Sequence, residues 1–480
     1  MAPAPRDPRI AELVAALSEV YQPIHGHPEY DASARRACDD RLTAVLRAVV
    51  WVGGQRKLRI LDIGCNQGWF SLQLAALGHD VLGIDSDPAN IALARALAAE
   101  SGIAARFEVA TFDESWLARQ EDGAFDLALV LSVFQHVSHA VGFVRARRMV
   151  RKLTQRSRAL VCELALREEP LYWAAALPGD PEELLADIAF VREMGRFATH
   201  LSELRRPMFF ASDTLCAVDT QGYAIQRWNA TAHEDERGFH LGTRRYYFCA
   251  GDILVKSVRI AGPNAEYNRE ESSREEAFLR QHGGKLAWVP AGLRAETAGD
   301  RRLSARPMIP GARLSTLLHG KIAFDAARVL RDVLGQLAEL EACGLYHRDV
   351  RSWNVVVGDD GTSRLIDFGQ IGLGVATDGS GLMGAHDAFW SLVHEATRGE
   401  PNVRPIPLMR RNPEALPEPW RSTLARFLEA GGKPTFAGIA KELARSTTLP
   451  PVSTAAAQRA YARAAADFER FAEALVRLVP

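Results

Sequence analysis

The 480-residue sequence lacks any Cys-x-x-Cys pair: its six cysteines, Cys38, Cys65, Cys162, Cys216, Cys249 and Cys343, stand apart with no zinc-like spacing. A reducing cytoplasm is the expected compartment. No apolar run approaches the ~18 residues of a membrane span, and Met1 to Arg9 holds three prolines and no signal-peptide core. Membrane contact is therefore expected to be peripheral. Charge of one sign is lacking as well: 58 basic residues against 59 acidic ones leave a net charge of -1, which gives no overall drive toward nucleic acid or an acidic membrane. The length is too great for one compact core, so two or three units are expected.

Arg59-Ile60-Leu61-Asp62-Ile63-Gly64 reads as a buried parallel strand entering a glycine turn, followed by helical apolar spacing over 69–77. Gly64 and Gly68 allow close backbone approach to a ligand, and the helix N-terminus behind them favours its polar end. The strand Val81-Leu82-Gly83-Ile84 ends at Asp85, about twenty residues on, where a carboxylate can accept ribose hydroxyls. A helix over 88–99, a strand at Phe107-Glu108-Val109 with Asp113 near its end, and Phe125 to Val130 followed by Phe134-Gln135-His136-Val137 complete an order that resembles class I S-adenosylmethionine (SAM) methyltransferases. The competing reading is a dinucleotide-binding domain, which would place glycine where Asn66 stands. His136 reads as a packed or capping residue, and the His136–His139 pair lacks a third metal ligand.

A second set of signatures begins at Asp252-Ile253-Leu254-Val255-Lys256, a strand bearing a phosphate-contacting lysine, with Glu275 on the helical run 270–281 as its expected partner. His347-Arg348-Asp349, Asn354 and Asp367-Phe368-Gly369 follow at protein-kinase intervals. Asp349 is expected to accept the acceptor's proton, Asn354 and Asp367 to hold magnesium, and Arg351 to keep a cation beside the transferred phosphate. Asp387 resembles the aspartate of a buried kinase helix that supports the catalytic loop. Missing are a full glycine-rich loop, for which only Gly238 and Gly242 are present with His240 between, and an Ala-Pro-Glu before Asp387. The short activation interval favours a non-protein acceptor.

The expected fold class is thus α/β and α+β: a Rossmann-like methyltransferase domain (1–212), a bilobal kinase-like domain (213–450) and a C-terminal amphipathic helix (451–480). Pro207 is expected to break a preceding helix near the first boundary. In the tail, Tyr461, Ala464, Phe468, Phe471, Leu475 and Leu478 follow heptad steps, which fits either the start of a homo-oligomeric coiled coil or one helix packed on the preceding domain.

Tyr21-Gln22-Pro23-Ile24, Gly26-His27-Pro28-Glu29, Glu168-Glu169-Pro170-Leu171-Tyr172-Trp173, Arg206-Pro207-Met208 and Arg364 to Gly369, together with the glycine turn, resemble the bifunctional kinase and methyltransferase family that terminates bacterial O-antigen polysaccharide. The resemblance runs from about Val14 through the kinase-like domain. It implies a polymannan-type chain on a lipid carrier at the cytoplasmic face of the inner membrane, phosphorylated with ATP and Mg2+ on its terminal sugar and then methylated on that phosphate with SAM. It also implies Tyr21 and Gln22 at the SAM site, Arg41 on the methionine carboxylate, acceptor contacts from Tyr21 and His27, and a C-terminal coiled coil that recruits a mannosyl polymerase partner. Two rival readings are a tailoring kinase–methyltransferase for a small molecule and a membrane-side scaffold, the latter at odds with a full set of phosphotransfer residues.

Overall fold

The computed structural model describes residues 7–231, 242–373, 384–401, 416–429, 435–463 and 466. The chain forms two compact units. One comprises Met1–Asn229, Tyr246–Ser257 and Arg294–Ser304, and the other Ala230–Arg245, Val258–Leu293 and Ala305–Pro480.

The first unit is built on β1 (Arg59–Ile63), β2 (Asp80–Asp85), β3 (Ala105–Val109), β4 (Phe125–Leu131), β5 (Ser157–Glu163), β6 (Phe190–Ala198) and β7 (Arg205–Ser212), in the sheet order β3-β2-β1-β4-β5-β7-β6. Strands β1 to β5 pair in parallel, and β7 runs antiparallel between β5 and β6. Their near-continuous apolar runs, such as Leu127 to Val130 at 0% exposure, are what burial on both faces demands. The strand order reverses between β1 and β4, and the carboxyl ends there form the crevice where open α/β sheets bind ligands.

Helices α1 (Arg9–Ala15), α2 (Asp39–Gly53), α3 (Trp69–Ala76), α4 (Pro88–Ser101), α5 (Glu114–Ala118), α6 (Phe134–Val141) and α7 (Phe143–Arg156) cover this sheet. Helix α4 starts where the Asp87 side chain accepts from the Ala89 N–H, has Pro88 at its first position, and stops at left-handed Gly102. On α7 the buried residues Ala146, Met149, Val150 and Leu153 recur at three- and four-residue steps, which fixes the face it turns to the sheet.

A second sheet has the order β12-β13-β11-β10-β9-β8, from β8 (Leu215–Val218), β9 (Gln221–Asn229), β10 (Arg244–Cys249), β11 (Ile253–Arg259), β12 (Arg294–Ala298) and β13 (Arg301–Pro307). Most of it packs within the first unit, so the compact division does not follow the expected single cut after Ser212. The reason is a set of buried polar ties. The Arg192 guanidinium, on β6, donates to Glu296 at 2.5 Å and to the Ala217 carbonyl at 2.9 Å. Tyr247 donates its hydroxyl to the Ala189 carbonyl, and Trp51 its indole N–H to the Asp219 carbonyl.

The second unit centres on one apolar cluster drawn from α8 (Ala265–His282), α9 (Leu314–His319), α10 (Ala326–Ala342), α11 (Gly384–Arg398), α12 (Trp420–Glu429) and α13 (Phe436–Thr448). Phe368, fully buried, stacks on Phe278 of α8 with ring centroids 5.2 Å apart. Among the described residues no helix is long and apolar enough to cross a membrane. Gly238 and His240, and the heptad positions Ala464, Phe468, Phe471, Leu475 and Leu478, lie outside the described residues.

Candidate active sites

At the β1–β4 switch point lies a cavity of about 490 Å³ lined by Gly64, Asp85, Phe112, Asp113, Val133 and His136, among others, a volume suited to a nucleoside-sized ligand. Gly64 adopts φ +68°, and a Cβ there would meet Val133 Cγ2 at 2.6 Å, so the turn at the cavity floor requires glycine. Gly68, left-handed, starts α3. Asp85 accepts the Asn66 N–H at 2.9 Å and the Asp87 N–H at 2.9 Å, which holds its carboxylate at the lining. Asp113 caps α5 by accepting from Trp116 N at 2.7 Å, and this backbone hydrogen bond, more than any other contact, keeps its carboxyl below the usual range. Asp62 lies beneath the cavity rather than in its lining: burial lifts its carboxyl to about 6, against the Ser71 hydroxyl that donates to it at 2.6 Å. Gln22 accepts from Trp69 N at 3.3 Å, which joins the N-terminal block to the start of α3.

Beside this cavity the structure assembles a polar cluster that sequence reasoning did not find. Arg36 donates to the Tyr21 hydroxyl at 3.1 Å, to Ser132 Oγ at 3.4 Å and to Glu163 at 2.8 Å. Arg206 donates to Ser132 Oγ at 3.2 Å and in fork geometry to Glu169 at 2.8 and 2.5 Å. Burial acts to lower the Arg36 guanidinium, and the Glu163 charge with Tyr21 reverses this, leaving it above its ordinary value. Ser132 holds φ +61° at the end of β4, a strained setting for a residue with a side chain, and its hydroxyl donates to Glu163 at 2.6 Å. Its members come from the N-terminal segment, β4, β5, β7 and the loop at Glu169, so the fold rather than any one motif brings them together.

Two side chains expected at ligands have protein partners in this structure. Arg41, expected on the methionine carboxylate, is 2% exposed and donates to Glu163 at 2.5 Å, to Asp40 and to the Ala198 carbonyl at 2.6 Å. A buried guanidinium takes the nearest fixed acceptors, and those are protein groups. His27, expected at the acceptor, is 4% exposed, with Nε2 2.7 Å from Glu100 and Nδ1 3.1 Å from Glu29, so it ties the N-terminal block to α4. His136 lines the cavity with Nδ1 2.7 Å from the Tyr172 hydroxyl, and burial lowers its pKa.

In the second unit the His-Arg-Asp segment is fixed from inside. The Asp349 N–H donates to His347 Nδ1 at 3.2 Å, so the proton sits on Nε2, 3.0 Å from the Ile366 carbonyl. Burial lowers the His347 pKa and keeps the ring neutral. Asn354 donates its amide to the Asp349 carboxylate at 2.7 Å and carbonyl at 2.9 Å, and Trp353 donates to the same carboxylate at 3.3 Å. Asp367 holds φ +64°, and a Cβ on Gly369 would meet Glu271 Cγ at 2.4 Å, so only glycine lets α8 approach the segment.

Arg351 differs from expectation: its guanidinium is buried and donates to Glu395 at 3.0 and 2.8 Å, and the same carboxylate accepts Ser352 N at 2.9 Å. Glu395, two turns beyond Asp387 on α11, is therefore a loop anchor that the sequence did not single out. On α8, Glu275 lies 3.8 Å from Arg306, while Glu271 makes a buried two-point bridge to Arg244 at 2.9 and 2.8 Å. Lys256 sits on β11 as expected, with Nζ 5.9 Å from the Tyr246 ring centroid. Among the described residues there is no cluster of three or more His, Cys, Asp or Glu for a metal. Oxygen donors such as Asn354 and Asp367 nonetheless fit Mg2+, which takes one or two protein ligands and completes its shell with phosphate and water.

A parallel sheet with a glycine turn and an acid-ended second strand opening on one cavity is the Rossmann-like methyltransferase architecture, here followed by an antiparallel sheet and C-terminal helices. The methyltransferase domain family Methyltransf_25 matches residues 60–154. The O-antigen chain terminator bifunctional methyltransferase/kinase WbdD of Escherichia coli is 36% identical over 425 residues, 86% of this chain and 59% of that protein. A medium-resolution structure of the bifunctional kinase–methyltransferase WbdD superposes with TM-score 0.78 and 31% identity over 95% of this chain and all of that one. WbdD crystallised with the kinase inhibitor LY294002 gives TM-score 0.74 and 33% identity over 92% of this chain and 96% of that one. The chain belongs to the WbdD family of bifunctional kinase–methyltransferases. It spans 59% of the length of the Escherichia coli relative.

Proposed function

We propose that the chain caps the end of a lipid-linked O-antigen polysaccharide, of polymannan type, by phosphorylating the terminal sugar with ATP and then methylating that phosphate with SAM. The observation that carries this reading is the likeness to WbdD across 95% of the chain. In the first step Asp349 receives the sugar hydroxyl's proton, in a carboxylate orientation fixed by Asn354 and Trp353. Asn354 and Asp367 hold Mg2+, which when bound screens the phosphates, and Lys256, with Glu275 as its partner, is assigned to the phosphates by its place in the chain. Arg351 acts by anchoring the loop on Glu395.

For the second step, SAM is assigned to the cavity lined by Gly64, Asp85 and Asp113, with Tyr21 and Gln22 as its proposed contacts from the N-terminal block. A phosphate monoester with a second pKa of about 6 is largely ionised at neutral pH, so methyl transfer needs alignment rather than a general base. Extension stops because the acceptor hydroxyl is blocked. The same reading places the chain at the cytoplasmic face of the inner membrane, beside a mannosyl polymerase. The test is mass spectrometry of a synthetic lipid-linked oligomannoside incubated with the protein, Mg2+, ATP and SAM, omitting each in turn. Mass gain of one phosphate with ATP, and of one methyl only when SAM is added afterwards, is expected. Methylation with SAM alone, or no change with either, sinks the capping assignment in favour of a small-molecule tailoring enzyme.

A further inference from the structure

Three guanidiniums, Arg36, Arg41 and Arg206, are at most 7% exposed, and within their cluster only two buried carboxylates, Glu163 and Glu169, face them. Asp40, half-exposed, reaches Arg41 alone. With Asp40 counted, three guanidiniums meet three carboxylates, so what the cluster offers an anion is its fixed donor geometry rather than an excess charge. Arg36 Nε is buried with no hydrogen-bond partner, and the Arg36 contact to Ser132 is long at 3.4 Å. These are donors that an entering anion can claim.

The position is equally specific. Ser132, where the two guanidiniums meet, immediately precedes Val133 of the cavity lining, so the cluster adjoins the SAM cavity at the end of β4. Tyr21 is the half-buried member of an otherwise buried set and marks the entry side. The Arg206 guanidinium also lies 5.8 Å from the Trp173 ring centroid, and Trp173 packs edge-on against Tyr172 at 4.7 Å. Tyr172 is 63% exposed while its hydroxyl is held by His136, so an aromatic face stands beside the anion cluster. An apolar ring face next to a pair of planar cationic forks suits a sugar phosphate better than a free carboxylate.

We propose that Arg36 and Arg206, linked through Ser132, bind the phosphate monoester that accepts the methyl group, with Tyr172 under its sugar. The proposal rests on the reading above that the methyl acceptor is a phosphate. Glu163 and Glu169 hold the forks in place before the ligand arrives, which removes the reorganisation that free side chains would require. One phosphate oxygen donates an electron pair to the methyl carbon, the carbon–sulfur bond breaks with its pair going to sulfur, and the products are a methyl phosphodiester and S-adenosylhomocysteine. No proton is transferred, and the acceptor's charge falls by one.

The test uses the full chain, an oligomannoside phosphorylated chemically at its end, and radiolabelled SAM. Because Arg206→Gln alone strands Glu169, the double variant Arg206→Gln/Glu169→Gln is compared with it and with Tyr172→Ala. The expected result is S-adenosylhomocysteine affinity by calorimetry within about threefold of wild type for the double variant, with KM for the phosphorylated acceptor raised at least about tenfold, the loss of one charge-assisted hydrogen bond. Tyr172→Ala raises the same KM with kcat held. A double variant that loses S-adenosylhomocysteine binding while acceptor KM is unchanged overturns the proposal, because the cluster then serves the methionine carboxylate. So does a double variant as active as wild type on this acceptor, which makes the cluster structural only. Failure of the wild-type protein to methylate the phosphorylated acceptor, while S-adenosylhomocysteine binds, instead overturns the phosphate-acceptor reading on which the proposal stands.

Discussion

Replacing Glu163 by Gln changes almost no volume but alters the charge on which three elements converge. Its carboxylate is fully buried and accepts from Arg36 at 2.8 Å, Arg41 at 2.5 Å and Ser132 Oγ at 2.6 Å. A glutamine keeps one accepting oxygen and turns an amide nitrogen, a donor, toward groups that are themselves donors. Breaking a buried pair by neutralising one partner costs roughly 3–5 kcal/mol. For a unit of this size that is a fall in Tm of about 6–20 °C. Asp187→Asn is the control, because Asp187 pairs with Arg147 across the surface at 2.7 Å, where the cost is at most about 1 kcal/mol. Guanidinium titration of both variants, with the m-value checked for constancy, reads the difference. A Glu163→Gln loss under about 1 kcal/mol, equal to the control, refutes the argument that the cluster's charges are buried and interdependent.

Asp349→Asn lowers phosphoryl transfer to the oligosaccharide by about 10²–10⁴ and leaves S-adenosylhomocysteine affinity unchanged, as initial rates and calorimetry report. Glu395→Gln releases Arg351 and Ser352 N from their common acceptor and lowers phosphoryl transfer at least about tenfold, while methyl transfer to a pre-phosphorylated acceptor is retained. Asp62 gives a pH signature: its folded pKa of about 6 stands above the ordinary carboxyl value of 3.8 because burial disfavours the charged form. The folded state therefore holds the proton more tightly. Stability from this group is fully present below pH 3.8 and lost as pH rises through about 6, a span of about 3 kcal/mol. In Asp62→Asn the fall in stability between those limits is expected to flatten, and an unchanged pH profile in chemical denaturation rejects the assignment.

The family and both folds were legible in the sequence because their signatures are local. A strand, a glycine turn and a helix follow one another within a few residues from Arg59 to Ala76, and Asp349, Asn354 and Asp367 share one short stretch of chain. Backbone geometry at such places is set by near neighbours, as at Gly64, which needs its positive φ. The roles of Arg41, His27 and Arg351 were not legible, since an arginine in a motif looks the same whether its fork meets a ligand or a buried glutamate. Glu163 and Glu395 supply buried acceptors to Arg41 and Arg351 from distant segments, and Glu100 does so for His27. The sequence by itself determined where the ligand-facing turns and loops lie, because those depend on steric limits within a few residues. Only the tertiary structure decided which charges are paired, because pairing follows from packing that brings Arg36 and Arg206 onto one serine hydroxyl, where burial makes every unpaired group costly.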